Sequence, residues 1–189
     1  MGATIKVATA VGAIGVFSWA AYAYNLKRSG SRLVIEPNLS YGISMEGLIV
    51  RSKPVIKNPT NTVFQINHPF IEVYGSNEVE VKEGNTSRTE YQKSSLIGSS
   101  NPENRQHTII ANGSTNINTI EITIRWRNVP ALLKQALRGK IVLFVKSNVG
   151  VILDRLFGNV LPISDETKEE VNTTEAIGLI NTIRNFLKI

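Results

Sequence analysis

The sequence predicts a mainly β protein, an antiparallel β-sandwich with one short helix, that carries a transmembrane helix at its N-terminus and an amphipathic helix at its C-terminus. Three observations predict this fold class. An uncharged apolar run extends from Val7 to Tyr24. From about Leu33 onward, apolar residues alternate with polar ones, which is the period of a half-buried strand. The final residues place apolar side chains three and four apart, which is the period of an amphipathic helix.

The N-terminal apolar run has the length of a membrane-spanning helix. At about 1.5 Å per helical residue, Val7–Tyr24 just crosses a hydrocarbon core of about 30 Å. Aromatic side chains concentrate toward its end and basic residues follow it, as is typical of a membrane interface. We expect residues 1–28 to be a transmembrane anchor with a basic collar, in contact with the lipid bilayer. The predicted membrane-interface residues are Phe17, Trp19, Tyr22, Tyr24, Lys27 and Arg28.

The residues on either side of this run bear on whether it is cleaved and on which side of the membrane the domain lies. Residues 21–23, Ala-Tyr-Ala, have the form that signal peptidase accepts, so a cleaved secretory leader is an alternative to a permanent anchor. Lys27, Arg28 and Arg32 follow the run, whereas Lys6 and the terminal amine precede it. This asymmetry favours a single-pass membrane protein whose globular domain lies on the cytoplasmic side.

The net charge of the chain, +6, is unevenly distributed. Residues 1–32 contain four basic residues and no acidic one, whereas the remaining 157 residues contain 17 basic and 15 acidic residues. A basic collar beside lipid explains this distribution better than a nucleic-acid groove, which needs basic residues concentrated on its binding face. We therefore expect no nucleic-acid binding. The absence of cysteine excludes disulfides, thiolate nucleophiles and cysteine-ligated zinc.

A sandwich domain is predicted over residues 29–165, joined to the anchor by a short flexible link at residues 29–31. The clearest strand is residues 120–126, where three isoleucines and Trp126 alternate with polar or charged residues. The other candidate strands are Leu33–Ile35, Leu48–Val50, Val55–Ile56, Val63–Ile66, Ile71–Tyr74, Val79–Val81, Thr108–Ala111 and Ile141–Val145. Turn-forming residues separate them at 58–61, 75–77, 101–104 and 112–114. Seven to nine short strands at this spacing indicate a sandwich.

Two segments are expected to depart from the strand pattern. Gly84–Ser95 contains almost no apolar residue, which predicts an exposed loop or hairpin tip. Residues 131–137 are predicted to be a helix, with Asn128 as its cap and Pro130 in its first turn. Gly139 is expected to close this helix in the left-handed conformation. The apolar face of the helix should pack on the sandwich.

The C-terminal part, residues 166–189, is predicted to be an acidic linker followed by an amphipathic helix that begins at Thr173 or Thr174. The apolar stripe of this helix has three alternative destinations: the sandwich itself, another protein, or a membrane surface. The residues predicted to dock a partner are Ile177, Ile180, Ile183, Phe186 and Leu187.

Residues that could support catalysis are sparse. His68 and His107 lie 39 positions apart without the spacing of a metal-binding motif. No glycine-rich phosphate loop and no nucleophile-elbow motif occurs. Glu78 and Glu80 alternate with valines, so both carboxylates should face solvent from one strand. The alternation from residue 120 makes Trp126 a core residue rather than a platform for stacking a base. We therefore predict a protein that is not an enzyme, with no metal, no cofactor and no small-molecule substrate.

Several segments, taken in order, resemble a known family. They are KPVIKNPTNTVFQI at residues 53–66, NGSTNINTIEITIRW at 112–126, GKIVLFVKSNVGV at 139–151 and NVLPIS at 159–164. Together they resemble the late embryogenesis abundant group 2 family, whose modules are also called water-stress and hypersensitive-response (WHy) domains. The likeness covers residues 31–165. It implies a seven-stranded, fibronectin-like β-sandwich with one helix, often behind an N-terminal transmembrane helix. It also implies a non-enzymatic role in binding or stress protection, with lipid handling in some relatives.

The sequence therefore predicts a single-pass, membrane-anchored β-sandwich that acts as a binding or scaffolding module. Its expected partners are the lipid bilayer and either a partner protein or further copies of the same chain. One alternative is a structural component of a larger assembly, such as a membrane-containing virion or a secretion machine. A second alternative is a lipid-handling domain, which requires an apolar cavity between the sheets.

Overall fold

The computed structural model of the protein describes residues 24–83, 86–154 and 159–187. The predicted transmembrane segment lies outside these residues except for Tyr24, so Phe17, Trp19 and Tyr22 are not described. None of the helices in the described ranges combines the length and the apolar character needed to cross a membrane.

Within the described residues the chain forms eleven strands, three helices and two single turns of 3₁₀ helix. The helices are α1 (residues 24–30), α2 (Pro130–Leu137) and α3 (Ile177–Leu187). The strands are β1 (Val34–Glu36), β2 (Leu39–Ile43), β3 (Gly47–Ser52), β4 (Val55–Asn58), β5 (Phe64–Glu83), β6 (Thr86–Ser99), β7 (His107–Ile109), β8 (Gly113–Asn116), β9 (Ile120–Arg125), β10 (Lys140–Asp154) and β11 (Asn159–Asn172). The 3₁₀ turns are Trp126–Asn128 and Thr174–Ala176.

The strands form three antiparallel sheets. The large sheet has the order β11-β10-β5-β6, and β7 pairs with the first residues of β5. One small sheet is β1-β4-β8 and the other is β2-β3-β9. Strands account for 59% of the described residues. The prediction of a mainly β, antiparallel protein with few helices is therefore confirmed.

Both small sheets pack on the same face of the large sheet. The alternate residues of β10 that point to this face contact both of them. Ile141, Leu143 and Val145 join a hydrophobic cluster with β3, β9, α2 and α3, at what we call the distal end. Val149 and Val151 join a second cluster with β1, β4 and β7, at the proximal end, where α1 meets the domain. The side chains of β10 that belong to these clusters are at most 4% exposed, so the core is continuous along the strand.

The link between α1 and the domain is ordered, and the prediction of a flexible link at residues 29–31 is wrong. Gly30 is buried, and a Cβ at this position would lie 3.3 Å from Leu161 and 3.6 Å from Leu153. The Ser31 amide donates to the Lys27 carbonyl at 3.0 Å, and the Ser31 hydroxyl donates to the Arg28 carbonyl at 2.9 Å. Serine and glycine suggest flexibility, but here glycine permits close packing of the backbone on the core.

Residues 75–77 do not form the predicted turn but lie inside the continuous strand β5. A shift in the β5–β6 register on either side of Tyr74 accommodates Gly75. Ser76 is buried, and its hydroxyl donates to the Val142 carbonyl at 2.8 Å. Gln135 of α2 bridges the two strands, since its amide nitrogen lies 3.1 Å from the Ser76 hydroxyl and its amide oxygen accepts from the Val142 amide at 3.0 Å. These bonds satisfy the polar groups that the irregular pairing leaves, so the strand continues.

Two polar segments differ from their predictions. Gly84–Ser95 was predicted to be an exposed loop or a hairpin tip, and its residues 86–95 belong to β6 and pair antiparallel with β5, so the loop alternative is wrong. Residues 166–170, predicted to be part of an acidic linker, belong to β11 and pair with β10. Both strands end the large sheet, where exposed charged side chains are tolerated and discourage edge-to-edge aggregation. Lys93 and Glu166 form an ion pair on the outer face. Backbone pairing rather than apolar alternation stabilises these two strands.

The structure confirms the short helix and the core tryptophan but not the helix cap. Asn128 ends a 3₁₀ turn, Val129 precedes α2, and Pro130 is the first helical residue. Gly139 has a φ of 88°, the left-handed conformation expected after the helix. Trp126 is 1% exposed, and its indole N–H donates to the Ser44 carbonyl at 2.9 Å.

The C-terminal helix α3 folds back onto its own domain. Ile180 is fully buried and Ile183 is 1% exposed, and both belong to the distal cluster with α2. The Thr173 hydroxyl donates to the Ala136 carbonyl at 2.7 Å, which ties the start of this segment to α2. The prediction that Ile180 and Ile183 dock a partner is therefore wrong, because the chain itself covers them. Ile177 and Leu187 are half-buried, whereas Phe186 is 79% exposed.

Ile183→Asp is expected to destabilise the domain by about 4 kcal/mol or more, because it buries an unpaired carboxylate among apolar side chains. The matched control is Phe186→Asp on the same helix, which should change the unfolding free energy by less than about 0.5 kcal/mol. Urea unfolding followed by tryptophan fluorescence measures both. Equal stability of the two variants would contradict the packing of α3.

Tyr41 of β2 carries a phenol oxygen that is buried beside the Glu169 carboxylate of β11. Burial raises the pKa of the Tyr41 phenol well above its usual value, and the negative charge of Glu169 on β11 raises it further. The folded protein therefore keeps this proton at a pH at which the unfolded chain, with a tyrosine pKa of about 10, loses it. The stabilisation is complete below about pH 10 and is lost as the pH rises beyond it.

Tyr41→Phe is expected to reduce the alkaline loss of stability. At about pH 8 the variant should be within about 1 kcal/mol of the parent, because the phenol is protonated in both the folded and the unfolded chain. At about pH 11 the parent should lose stability relative to the variant. The urea midpoint at both pH values measures this, with Tyr24→Phe, a tyrosine that is 65% exposed, as the control. Parallel pH profiles for the parent and Tyr41→Phe would contradict it.

Candidate binding groove

A groove of about 420 Å³ lies at the distal end of the domain. It forms where the β2–β3 turn, the end of β9 and the last turn of α3 meet. The residues that line it are Met45, Glu46, Arg125, Arg127, Phe186 and Leu187. Apolar side chains and two guanidinium groups therefore share one opening.

The β2–β3 turn packs closely on β9, and Gly47 permits this close approach. A Cβ at Gly47 would lie only 2.2 Å from the Ile124 carbonyl oxygen, so no larger residue fits there without moving the backbone. The Ser44 amide donates to the Gly47 carbonyl at 3.0 Å, and the Trp126 amide donates to the Glu46 carbonyl at 3.2 Å. These bonds fix the turn, so Met45 and Glu46 project from a defined position.

The two arginines follow from the alternation of β9 and the turn after it. Trp126 points into the core, so Arg125 and Arg127 on either side of it point to solvent. In the described part of the chain, neither guanidinium forms an ion pair. Glu46 also lines the groove, so its rim carries two positive charges and one negative charge. The groove therefore offers free cationic groups for an anion.

The apolar part of the groove is unusually exposed. Phe186 is 79% exposed and Met45 is 49% exposed, whereas Leu187 packs partly on the distal cluster. Aromatic and methionine side chains contribute strongly to binding surfaces, since they bury large areas and adapt to their partners. Together with the arginines, they suit a ligand that combines an apolar group with a carboxylate.

A second pocket, of about 350 Å³, lies between the middle of β5 and α2. Two of its three charged side chains are paired, since Arg138 donates to both carboxylate oxygens of Glu78 at 2.7 and 2.9 Å, and Lys134 is the third. The paired charges make this pocket a weaker candidate for binding an anion than the groove.

The two histidines lie away from both pockets. His107 Nε2 lies 3.1 Å from a Glu103 carboxylate oxygen, whose other oxygen accepts from the Asn118 side chain at 2.5 Å. This arrangement fastens the segment before β7 to the segment before β9. His68 lies within β5, at a shift in the register with β10, and has a φ of 49°. Across residues 24–83, 86–154 and 159–187, no group of three His, Asp or Glu side chains could hold a metal ion.

Sequence reasoning identified part of the groove. Phe186 and Leu187 were among the predicted docking residues and do line it. Met45, Glu46, Arg125 and Arg127 were missed as binding residues. The sequence does indicate that the arginines are exposed, because they stand on either side of a core tryptophan and alternation places both on the solvent side. Of the predicted membrane-interface residues, Tyr24, Lys27 and Arg28 lie on α1 at the opposite end and are exposed.

No protein-family model matches the chain, and no curated protein matches it. Among solved structures, the sporulation control protein from Bacillus subtilis is similar with 14% identity and a TM-score of 0.45, over 82% of this chain and 55% of that protein. A protein from Archaeoglobus fulgidus is similar with 10% identity and a TM-score of 0.42, over 75% of this chain and 96% of the other.

A late embryogenesis abundant protein from Arabidopsis is also among the similar structures, with 12% identity and a TM-score of 0.39, over 91% of this chain and 89% of the other. The chain spans about half the length of the Bacillus protein. Similarities at this level carry no information on ligands or partners.

Proposed function

We propose that the protein is a membrane-anchored binding module without catalytic activity, built on a fibronectin-like β-sandwich of the late embryogenesis abundant group 2 type. The observation that carries the proposal is the distal groove, where exposed Phe186 and Met45 lie beside the unpaired guanidinium groups of Arg125 and Arg127. An exposed phenylalanine next to unpaired arginines is typical of a binding surface, since such residues dominate the energy of protein interfaces.

The placement of the groove supports a role in presenting a ligand away from the membrane. Strand β10 runs from α2 at the distal end to the contact with α1 at the proximal end. Its 15 residues span about 45 Å at about 3.3 Å per residue. With the anchor in the bilayer, the groove would face outward, toward a partner on the same side of the membrane as the domain. The positive charge that follows the anchor favours the cytoplasmic side.

The proposed occupant is a short segment of a partner protein in which an apolar side chain stands next to an acidic residue. The apolar side chain would pack on Phe186 and Met45. The carboxylate would accept hydrogen bonds from Arg125 and Arg127, a pairing that is stronger than a hydrogen bond between neutral groups. A groove of this size holds a few side chains rather than a whole helix.

The anchor can be tested on its own. The full chain is expected to remain in membranes after an alkaline carbonate wash, and a chain that begins at Tyr24 is expected to be released. The reason is that the apolar Val7–Tyr24 segment gains its stability from the hydrocarbon core. Fractionation followed by immunoblotting measures both. Release of the full chain, or retention of the shortened chain, would contradict the anchor.

The groove can be tested with a defined probe, a fluorescent peptide with leucine and phenylalanine between aspartates. Arg127→Gln is expected to weaken binding about tenfold, because a charge-assisted hydrogen bond contributes about 1.5 kcal/mol or more. Phe186→Ala is expected to weaken it by about thirtyfold, as for the loss of an apolar anchor of about 2 kcal/mol. Fluorescence anisotropy measures the dissociation constants.

Three controls accompany this test. Leu96→Ala changes an apolar side chain that is 50% exposed and is not among the groove residues, so it should leave binding unchanged. A peptide with lysines in place of the aspartates should bind much more weakly, and Tyr24→Phe, at the opposite end of the domain, should bind as the parent does. Equal binding of the acidic and basic peptides would contradict a cationic groove, and equal effects of Phe186→Ala and Leu96→Ala would place binding elsewhere.

A further inference from the structure

The outer face of the large sheet, the face away from the small sheets, changes character toward the proximal end. Near its middle this face carries the paired charges of Lys93 with Glu166 and of Lys146 with Glu72. At the proximal end of the sheet, Val160 of β11 is 44% exposed, and Val63 and Ile110, just outside β5 and β7, are 59% and 55% exposed. Exposed apolar groups gathered at one end of a sheet usually mark a contact surface.

Strand register places these residues at the same end of the sheet. Ile152 of β10 pairs with Val160 of β11 on one side and with Gln65 of β5 on the other. The row continues to Thr108 of β7, which pairs with Gln65. Val63 and Ile110 follow the next pair, Phe64 with Ile109, just outside the strands. Val63, Ile110, Ile152 and Val160 therefore lie at the proximal end of the sheet, spread across its width from β11 to β7. We call these four residues the proximal patch.

Helix α1 connects the proximal end of the sheet to the predicted anchor. A Cβ at Gly30 would lie within 3.8 Å of Phe64, Leu153 and Leu161, which belong to or pack on the proximal cluster. Helix α1 therefore lies on the inner side of the end whose outer side carries the patch. Leu26 also packs on the proximal cluster. The six residue steps from Tyr24 to Gly30 cover about 9 Å of helix. This distance is comparable to the thickness of the headgroup region on one side of a bilayer, about 5–8 Å.

The charges at the same end of the domain suit a lipid surface. Lys27, Arg28 and Arg32 are exposed, and none of them forms an ion pair within the described ranges. Glu36, a nearby acidic residue on β1, is paired with Lys57. Unpaired basic residues beside exposed apolar side chains are the combination that binds anionic headgroups and the lipid boundary below them.

We propose that the proximal end of the domain rests on the bilayer, with the proximal patch in the lipid interface and Lys27, Arg28 and Arg32 on anionic headgroups. This contact fixes the orientation of the domain relative to the membrane. The inference rests on the proposed anchor, because it is the predicted segment Val7–Tyr24 that brings this end to the lipid.

The test uses the full chain in vesicles of phosphatidylcholine with phosphatidylserine. The chain contains no cysteine, so single substitutions accept one nitroxide label each. Val160→Cys and Ile110→Cys report on the patch, and Asn181→Cys, an exposed position on α3, is the matched control at the distal end. Electron paramagnetic resonance measures collisions with oxygen, which concentrates in lipid, and with a water-soluble nickel complex. Thermal unfolding verifies that each labelled variant folds.

The labels at Val160 and Ile110 are expected to collide more with oxygen and several-fold less with nickel than the label at Asn181. Lys27→Gln and Arg28→Gln should each shift the equilibrium away from the surface by about fivefold, the effect of one basic residue near an anionic leaflet. Vesicles of phosphatidylcholine alone should reduce the protection of the patch labels in the same direction.

The possible failures are distinguishable. If the chain is retained in vesicles but all three labels meet nickel equally, the inference is wrong and the anchor stands. If the chain is not retained, the anchor and the inference are both wrong. If the patch labels are protected to the same degree in a chain that begins at Tyr24, without lipid or detergent, a protein surface covers the patch instead of lipid, and the inference is again wrong.

Discussion

The alternation of side chains along β10 is the constraint on which the rest of the structure depends. Its inner face contributes Ile141, Leu143 and Val145 to the distal cluster and Val149 and Val151 to the proximal cluster. A full burial of each such side chain is worth about 1.5–3 kcal/mol. A shift of one residue in register would turn the charged and amide side chains between them into the core and these five out of it. Strands β5 and β11 pair with β10, so the register of β10 also fixes which of their residues face the core.

The parts of the fold that the sequence predicted are those whose stability shows in local side-chain periodicity. The strand at Ile120 and the helix after Pro130 bury one regular face, and the structure contains both. Strands β6 and β11 could not be recognised in the same way, because they are charged edge strands that form by backbone pairing with long neighbours. The same distinction applies to the groove: alternation about Trp126 indicates where Arg125 and Arg127 point, but only tertiary structure brings α3 beside them.

The C-terminal helix illustrates why an amphipathic pattern alone does not identify its partner. The stripe through Ile180 and Ile183 is equally compatible with a sandwich, another protein or a membrane. In the structure the stripe packs on the sandwich domain beside α2. Leu132 and Leu133 of α2 contribute the apolar surface there, and the Thr173 hydroxyl donates to the Ala136 carbonyl next to it. Folding back has a functional consequence, because it carries Phe186 to the β2–β3 turn and so completes the groove.

The two ends of the domain are coupled through rigid elements rather than through a flexible tether. Gly30 and Leu26 hold α1 against the proximal cluster, and β10 continues without interruption to α2. If the predicted anchor is in the membrane, the distance of the groove from the membrane and its orientation are nearly fixed. A partner confined to the same surface would then lose less orientational freedom on binding than it would with a freely rotating receptor. Folding of the domain has already restricted the orientation of the groove, so binding costs less orientational entropy. A small groove can then bind a short segment with higher affinity.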